Sequence, residues 1–331
     1  MTEQIVRTGK PGAFRYRLGG QVITDEQVLD RIGQLAVPPA WKQVQIAVSA
    51  RSKMQAVGRD AAGRLQRIYH PSWRAARDRQ KHGRVLEFGQ QLPILRRAVA
   101  RDLRRRNMSR QKVVACVIRL MDREFFRVGN ARSAQEFGHY GLTTLRRKHV
   151  RTTSGIIMLD FIGKSGQHQQ RRIRDPQLAR LVAQLNEMPG YELFRFVDEG
   201  GKIRQVQPEQ VNDYLRQHLG PEFSARDFRT WGGTLLTVTG LLSPEVVELE
   251  ATKGPEAALR TVIRDVAQRL GNTEAVTRSS YIDPRIFELY DDGTTFPELR
   301  RVAARLRPRK YLSVPEQCVL RLLDAKPPSS S

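Results

Sequence analysis

One stretch decides the fold of this chain: Gly271-Asn272-Thr273-Glu274-Ala275-Val276-Thr277-Arg278-Ser279-Ser280-Tyr281-Ile282-Asp283-Pro284. It follows an apolar pattern that predicts a helix from Pro255 to Leu270. Gly271 is typical of a helix end, because glycine adopts the left-handed backbone conformation without strain. Asn272 is typical of a helix cap. The sequence therefore predicts a second, short helix that runs toward Tyr281.

The tyrosine of this stretch is followed by a turn that proline directs. Pro284 disfavours the helical conformation at Asp283, so the backbone around Tyr281 enters a defined turn. Most tyrosines pack the ring in the core and leave the hydroxyl in water, and that interpretation fits Tyr281 when it is considered alone. A chemical role for this residue therefore depends on side chains elsewhere in the chain.

The composition indicates two domains and an affinity for polyanions. A chain of 331 residues exceeds what one hydrophobic core usually organises. It carries 57 Lys and Arg against 34 Asp and Glu, a formal net charge of +23, with a pI near 10.9. Such a charge favours nucleic acid as a partner, although an anionic membrane surface would also suit it. No apolar run is long enough to span a bilayer and residues 1–10 lack the apolar part of a signal peptide, so we expect no membrane association.

Cysteine and histidine usage indicates chemistry without a metal. The two cysteines, Cys116 and Cys318, lie in apolar patterns, which favours a reducing compartment and no disulfide framework. The six histidines form no HxH or HxxxH pair, so no metal ligand is predicted, with scattered carboxylates left as an open alternative. The sequence also lacks the GxxxxGK[ST] loop that binds nucleotide phosphates. We therefore expect no cofactor.

Residues 1–77 are predicted to form a small β-rich domain. Asp60-Ala61-Ala62-Gly63 fits a hairpin loop, and Thr24 fits the cap of a helix over Asp25–Leu35. The predicted strands are Phe14–Leu18, Val44–Val48, Met54–Arg59 and Arg64–Tyr69. Polar and basic side chains alternate along the last two strands, so this face is either solvated or turned toward DNA. These side chains include Arg59, Arg64, Gln66 and Arg67.

Residues 78–331 are predicted to form a larger, mainly helical domain. After a basic amphipathic helix, the apolar period predicts a helix over Lys112–Phe126, with Gly129 as its cap and Arg127 in its last turn. The other predicted elements are a hairpin of Ile156–Ile162 and Gln169–Ile173, the helices Gln177–Asn186, Pro208–Leu219, Ala225–Thr239 and Thr294–Ala304, and a frayed tail at Pro327–Ser331.

Four basic or amide side chains of this second domain stand where packing does not require them. Arg127 ends an apolar helix, and Lys164 lies at the tip of the hairpin. Arg229 begins an apolar helix, and Asn272 is predicted to cap the helix before Tyr281. Each of the four, taken alone, fits an ordinary surface cation or helix cap. Their significance lies in the combination.

The order and spacing of these residues resemble a known family. Along the chain stand Phe126-Arg127-Val128-Gly129-Asn130, Gly141-Leu142-Thr143-Thr144-Leu145, the Gly163-Lys164 hairpin, Asp227-Phe228-Arg229-Thr230-Trp231, and Gly271-Asn272-Thr273 through Ser280-Tyr281-Ile282. Together they resemble a type IB DNA topoisomerase of the short bacterial and poxvirus-like form. The first domain adds to the resemblance through residues 55–64 and Gln66-Arg67-Ile68-Tyr69. The resemblance covers nearly the whole chain.

This resemblance implies an α+β fold in which a small β-rich N-terminal domain and a larger, mainly α-helical catalytic domain form a C-shaped clamp around duplex DNA. The larger domain would have the tyrosine recombinase and type IB topoisomerase fold. The resemblance implies that Tyr281 is the nucleophile, and that Gln66 and Tyr69 touch DNA from the first domain. The scissile phosphate would be surrounded by Arg127, Lys164, Arg229 and Asn272. Asn272 stands where poxvirus enzymes have histidine, and Arg67 stands where they have a second tyrosine, which weakens the case for sequence-specific cleavage.

The residue types suit a phosphodiester exchange. The phenol of a tyrosine has an ordinary pKa of about 10, so it needs cations to become an effective nucleophile. Arg127 and Arg229 can each present a planar fork to phosphate oxygens, and Asn272 adds a neutral donor. Lysine gives up a proton more readily than arginine, so Lys164 is the predicted general acid for the leaving 5′-oxygen. The product would be a 3′-phosphotyrosine, formed and reversed without ATP or a metal.

Two other functions remain open at this point. A tyrosine recombinase shares this catalytic architecture but usually carries a histidine three residues before the second arginine, where this chain has Arg226. A basic DNA-binding protein without catalysis would explain the charge but not the ordered motifs. The prediction is a monomeric bacterial DNA topoisomerase that relaxes duplex DNA in the cytoplasm, associated with the nucleoid.

Overall fold

The computed structural model describes residues 3–324, so the predicted tail at 327–331 lies outside the described residues. The chain divides into two compact units, Met1–Lys81 and His82–Ser331. Each unit has its own hydrophobic core. The first is dominated by an antiparallel sheet and the second by helices, which confirms the predicted α+β class.

In the first unit, the described residues form a six-stranded antiparallel sheet in the order β3-β2-β1-β4-β5-β6. Its elements are β1 Gln4–Lys10, β2 Ala13–Leu18, β3 Gln21–Val22, α1 Glu26–Gln34, β4 Lys42–Ala47, β5 Met54–Arg59 and β6 Leu65–Tyr69. The core lies on one face of this sheet, where Ile5, Val44, Ile46 and Ala56 pack with Ile32 of α1. The sequence prediction missed β1, although its Ile5 is buried at the centre of that core.

The predicted cap of α1 is wrong by one residue. Asp25, and not Thr24, is the N-cap, and its carboxylate accepts hydrogen bonds from the backbone N–H groups of Gln27 and Val28. A carboxylate at this position also interacts favourably with the positive end of the helix dipole.

The second unit is built mainly from helices around a buried central one. Its elements, beginning with a helix that contains the division between the units, are α2 Pro71–Asp102, α3 Arg110–Glu124, α4 Ala131–Phe137, β7 Val150–Thr153, β8 Ile156–Ile162, β9 His168–Arg174, α5 Pro176–Glu187, β10 Arg195–Val197, β11 Ile203–Gln205, α6 Pro208–Leu219, α7 Asp227–Leu241, α8 Pro244–Lys253, α9 Pro255–Leu270, α10 Glu274–Tyr281, α11 Arg285–Asp291, α12 Thr295–Ala303 and α13 Val314–Asp324. The predicted bounds of α6, α9 and β8 are confirmed. Helices α4, α8, α11 and α13 were not predicted.

Helix α7 is the centre of this unit because its residues are buried around most of its circumference. Phe228 and Trp231 are fully buried, and Trp231 fits against α2 only because residue 89 is glycine. A Cβ atom at Gly89 would lie 2.3 Å from the Trp231 ring. Such burial holds the start of α7, and with it Arg229, in a fixed position.

The hairpin that carries Lys164 belongs to a small antiparallel sheet in the order β7-β8-β9. Strands β8 and β9 pair in continuous register from Ile156 with Arg174 to Ile162 with His168. Because inward-facing residues such as Ile157, Leu159 and Phe161 are buried, the register of the hairpin is fixed. The turn at its tip, a 3-10 turn over Lys164–Gly166, therefore has a defined position.

Candidate active site

Arg127 lies in an extended segment just beyond α3. Phe125 ends the helix in the left-handed conformation, with a φ of 57°, so the predicted cap at Gly129 and the predicted place of Arg127 in the last helical turn are wrong. The Arg127 carbonyl accepts a hydrogen bond from the N–H group of Leu142 at 3.0 Å. The Gly141–Leu145 segment therefore holds the backbone that carries Arg127.

Glycine is required where these two segments meet. Gly129 has a φ of 109°, and a Cβ atom on Gly141 would lie 2.5 Å from the Cα atom of Gly129. Thr143 completes the contact, because its N–H group donates to the Val128 carbonyl at 2.7 Å. The two motifs that appeared separate in the sequence thus form one structural element.

Arg229 is a buried cation in the first turn of α7. It is only 5% exposed, and it donates hydrogen bonds to the carbonyls of Phe125 at 2.8 Å and Leu270 at 2.9 Å. Burial and the nearby charge of Arg127 lower the pKa of its guanidinium to about 10. Arg229 therefore remains protonated at neutral pH and joins the end of α3 to the end of α9.

Tyr281 is the last residue of α10, as the sequence predicted, and α7 fixes its backbone. A Cβ atom on Gly233 would lie 2.2 Å from the Tyr281 carbonyl oxygen, so only glycine permits this approach. Two residues later, the N–H group of Asp283 donates to Thr234 Oγ1 at 3.0 Å. Cζ of Arg229 lies 4.8 Å from the centre of the Tyr281 ring.

The phenol of Tyr281 is half-buried among cations. Burial alone raises its pKa, but the charge of Arg229, a hydrogen bond with Arg229, and the charges of Arg127 and Lys164 together lower the pKa below its ordinary value. Burial lowers the pKa of Arg127, and the charge of Tyr281 acts in the opposite direction. The surroundings therefore make ionisation of the phenol to the nucleophilic phenolate easier than it is for an ordinary tyrosine.

Asn272 joins the site through its side chain and does not cap α10. Thr273 is the N-cap, since its hydroxyl accepts from the N–H group of Val276, so the predicted capping role of Asn272 is wrong. Oδ1 of Asn272 accepts a hydrogen bond from Nη2 of Arg127 at 2.5 Å. Its Nδ2 atom is buried and has no hydrogen-bond partner in the described part of the chain. The amide thus orients Arg127 and keeps a donor for a ligand.

Lys164 completes the cluster from the hairpin turn. Its side chain is exposed, and the residue lines a cleft together with Arg127 and Arg229. Asn272 and Tyr281 do not line this cleft, but Asn272 contacts Arg127 and the Tyr281 ring contacts Arg229. Among the described residues, no group of three or more His, Cys, Asp or Glu could hold a metal ion.

Three polar residues of this cleft were not predicted from the sequence. Glu124, Gln169 and Arg269 line it beside the predicted cations. Glu124 stands three residues before Arg127 in the chain, but no spacing rule connects the three residues to the predicted cations.

The predicted DNA-binding residues of the first unit lie on β5, β6 and the loop between them. Asp60 organises this loop, accepting from Arg64 Nε at 2.8 Å and from Gln66 Nε2 at 2.9 Å. Arg67 is exposed on β6, opposite Val57 of β5. The Tyr69 ring stacks on Trp73 with centres 4.3 Å apart. Arg59 donates to the Gly63 carbonyl at 2.9 Å across the same hairpin.

Gln66 does not share a face of the sheet with the other predicted contacts on β6. Side chains alternate along a strand, so Gln66 points to the same side as Ile68, which packs against the core. Arg67 and Tyr69 point to the other side. The structure thus brings Arg67 and Tyr69 onto one face and places Gln66 at the hairpin end on the opposite face.

The chain matches two known protein families. The family described as "Eukaryotic DNA topoisomerase I, catalytic core" matches residues 70–293, and the family described as "Bacterial DNA topoisomerase IB, N-terminal domain" matches residues 13–60. A protein named DNA topoisomerase 1B from Acanthamoeba polyphaga mimivirus is 30% identical over 295 residues, which cover 88% of each chain.

More distant relatives match in the same way. DNA topoisomerase 1B of Vaccinia virus (strain Western Reserve) is 22% identical over 248 residues, covering 73% of this chain and 74% of the viral protein. DNA topoisomerase 1 of Mycosarcoma maydis is 26% identical over 216 residues, which make up 60% of this chain and 21% of that longer protein. The described residues contain no helix that is long and apolar enough to cross a membrane.

Proposed function

The chain belongs to the type IB DNA topoisomerases, and on this premise we propose which of its residues carry the reaction. The enzyme relaxes supercoiled duplex DNA by cutting one strand, holding the 3′ end as a phosphotyrosyl ester, and rejoining the strand. We propose Tyr281 as the nucleophile, with Arg127, Lys164, Arg229 and Asn272 around the scissile phosphate.

One observation carries this assignment. Cζ of Arg229 lies 4.8 Å from the centre of the Tyr281 ring, Arg127 and Lys164 act on the same phenol through their charges, and the buried Nδ2 atom of Asn272 has no hydrogen-bond partner in the described residues. Cationic and amide donors that surround one tyrosine are suited to a phosphate at the same place, because its oxygens would accept hydrogen bonds from these groups.

The proposed reaction is an exchange of one phosphodiester for another. The Tyr281 oxygen loses its proton to solvent and forms a bond to phosphorus, and the bond from phosphorus to the 5′-oxygen breaks. Arg127 and Arg229 stabilise the charge on the non-bridging oxygens, and Asn272 donates one further hydrogen bond. Lys164 gives its proton to the departing 5′-oxygen. Rejoining the strand reverses each step, so the exchange loses little free energy and needs no ATP.

We propose that Asn272 replaces the histidine of the poxvirus pattern with a neutral donor. Its hydrogen bond to Arg127 supports a second role, the orientation of that guanidinium. Arg127 is half-buried and burial lowers its pKa, yet it stays protonated because arginine titrates so far above neutrality. An amide suits this place because it accepts from Arg127 and donates to phosphate without adding charge.

We propose further that the first unit contacts duplex DNA with the face of Arg67 and Tyr69. Arg59, Arg64 and Gln66 would add contacts from the end of the hairpin, where Gln66 lies on the opposite face of β6. Arg67 is long and cationic, so it suits phosphate contacts better than the reading of bases. We also propose that the domains comprise residues 1–77 and 78–331 and enclose DNA as a clamp. We propose in addition that the protein is a monomer and that it acts in the bacterial cytoplasm, associated with the nucleoid.

Relaxation of supercoiled plasmid tests the proposal directly. The purified protein should relax plasmid in EDTA without ATP, and Tyr281→Phe should bind DNA but neither relax it nor form a covalent adduct. A recombinase would instead exchange strands between sites, and a passive binder would leave the topology unchanged. Relaxation by Tyr281→Phe would show that another residue is the nucleophile.

A further inference from the structure

The cleft contains an acidic residue in an unfavourable position. Of the described residues that line it, Glu124 is the one carboxylate, among Arg127, Lys164, Arg229 and Arg269. Glu124 is 7% exposed and is the last residue of α3, where the helix dipole disfavours a negative charge. Both burial and the dipole oppose a carboxylate here, so it must be stabilised by specific partners.

Those partners are two arginines from other elements. Oε2 of Glu124 lies 2.5 Å from Nη2 of Arg269 at the end of α9, and 3.9 Å from Nε of Arg171 on β9. Arg171 in turn donates to the Arg269 carbonyl at 2.6 Å and to Oε1 of Gln169 at 3.2 Å. The carboxylate therefore links α3, α9 and the strand that follows the Lys164 turn.

This ion pair lies beside the hydrogen bonds of Arg229. The two carbonyls that accept from Arg229 belong to Phe125 and Leu270, which directly follow Glu124 and Arg269 in the chain. Arg127 and Asn272 each stand three residues beyond a member of the pair, and they are joined by their own hydrogen bond. The ends of α3 and α9 are thus connected three times within one short region.

We propose that Glu124 is a positioning residue, which holds the ends of α3 and α9 together through Arg269 so that Arg127, Arg229 and Asn272 converge on one phosphate. This inference rests on the proposed function, because it concerns the geometry of the same reaction. Glu124 contacts Arg269 and does not need to touch the DNA. The negative charge of Glu124 also opposes the binding of DNA in the cleft. Its presence is therefore better explained by the positions that it gives to the helix ends than by a contribution to the affinity for DNA.

The inference predicts that Glu124→Gln slows cleavage without weakening DNA binding. Removing a negative charge from a cation-lined cleft should leave the Kd for noncovalent duplex DNA unchanged or lower it. Misplacement of the helix ends should slow single-turnover cleavage of a suicide duplex by roughly 10- to 100-fold. Arg269→Gln, which changes a more exposed side chain, should slow cleavage to a similar degree. The double variant should be no slower than the slower single variant.

Glu316→Gln is the matched control. Glu316 is also a buried carboxylate of the second unit, paired with Arg96 at 2.6 Å, but it does not line the cleft. This variant should lose thermal stability while the folded enzyme cleaves at the rate of the unmodified protein.

Three outcomes would overturn the inference. Glu124→Gln and Arg269→Gln could cleave at the unmodified rate, their effects could add in the double variant, or Glu124→Gln could lose DNA binding in step with cleavage. If Glu124→Gln does not fold, Arg269→Gln with the same two measurements decides the question. Tyr281→Phe is assayed in parallel, because an adduct in that variant would refute the proposed function itself, whereas a normal rate in Glu124→Gln would refute only the role of Glu124.

Discussion

At the scale of single residues, the central feature is a phenol whose pKa is set by its neighbours. Burial acts against ionisation of Tyr281, and the arginines and Lys164 act for it with the larger combined effect. Arg229 is held by two backbone carbonyls, so its charge stays in place before DNA arrives. Fixed cations of this kind stabilise the phenolate without reorganisation during the reaction.

The first prediction concerns the ionisation of Tyr281. Arg127 lowers the Tyr281 pKa, so Arg127→Gln should raise it and shift ionisation of the phenol to higher pH. The absorbance of phenolate can be followed during a pH titration of the free protein, with Tyr281→Phe subtracted to isolate this one residue. An unchanged titration in Arg127→Gln would mean that Arg127 does not act on the phenol.

The second prediction concerns the proton given to the leaving group. Lys164→Ala should slow cleavage of ordinary DNA by roughly 10²- to 10⁴-fold, the usual contribution of a general acid. A substrate with sulfur in place of the bridging 5′-oxygen should restore the rate, because a thiolate leaves without a proton. Arg127→Gln is the control and should not be rescued. A failure of rescue in Lys164→Ala would remove Lys164 from this role.

The sequence allowed the five residues to be proposed but not their connections. Motif order singled out Tyr281, Arg127, Lys164, Arg229 and Asn272. Nothing in the spacing of the chain could indicate that Arg127 donates to Asn272, because the two stand 145 residues apart. The salt bridge between Glu124 and Arg269 was not predicted for the same reason, because a salt bridge between two helix ends has no local sequence signature.

At the scale of elements, α7 determines where Tyr281 lies. Its successive glycines, Gly232 and Gly233, receive the Phe125 ring on one side and the Tyr281 backbone on the other. A Cβ atom would lie 2.3 Å from the ring in the first case and 2.2 Å from the carbonyl oxygen in the second. Helix α7 therefore contacts both Phe125, which lies two residues before Arg127, and the end of α10, which carries Tyr281.

The third prediction follows from this contact. Gly233→Ala should displace the end of α10, reduce stability by about 1–3 kcal/mol, as overpacking usually does, and slow covalent adduct formation more than DNA binding. Thermal unfolding and single-turnover cleavage measure the two effects. Gly83→Ala is the control, because a Cβ atom there meets no heavy atom within 4 Å. Equal cleavage rates in the two variants would contradict the role given to Gly233.

The sequence predicted elements better than it predicted their ends. The bounds of α6, α9 and β8 follow from hydrophobic period and from proline and glycine at their limits, and these are confirmed. The cap at Gly129 was wrong because Phe125 adopts the left-handed conformation instead. The left-handed conformation of Phe125 is strained, and two tertiary interactions offset that strain: the burial of the Phe125 ring and the hydrogen bond from Arg229 to the Phe125 carbonyl. The local sequence contains no sign of either interaction.

At the scale of the whole molecule, the net charge of +23 should govern how tightly DNA is held. Each phosphate contact releases counterions, so binding weakens as salt rises, with a slope that reports the number of contacts. The rate of cleavage within a saturated complex should depend much less on salt, because the cations of the cleft are partly buried and screened less.

The fourth prediction uses this difference to test the first unit. Arg67→Gln should weaken DNA binding and reduce the slope of log Kd against log salt by about 1, the effect of one lost phosphate contact. The cleavage rate at saturating enzyme should stay unchanged. Arg15→Gln changes another exposed arginine of the same sheet, on β2, and shows whether the effect is particular to β6. A salt slope that is unaffected by Arg67→Gln would argue against a DNA contact on that face.

Composition and pattern predicted the gross organisation of the chain but not its details. Length and hydrophobic period indicated a β-rich unit followed by a larger helical unit, and both are present. The structure places their division after Lys81, within α2. Strand β1 was missed because its alternation is short and ends in Thr8-Gly9-Lys10, and its burial depends on pairing with β4, distant in sequence.

The most direct test of the central claim is to trap the covalent complex on a suicide duplex and to map the modified residue by mass spectrometry of its peptides. We expect the 3′-phosphate of the cleaved strand on the oxygen of Tyr281 in the unmodified protein, and no adduct in Tyr281→Phe. An adduct on any other residue, or a 5′-linked adduct, would contradict the account.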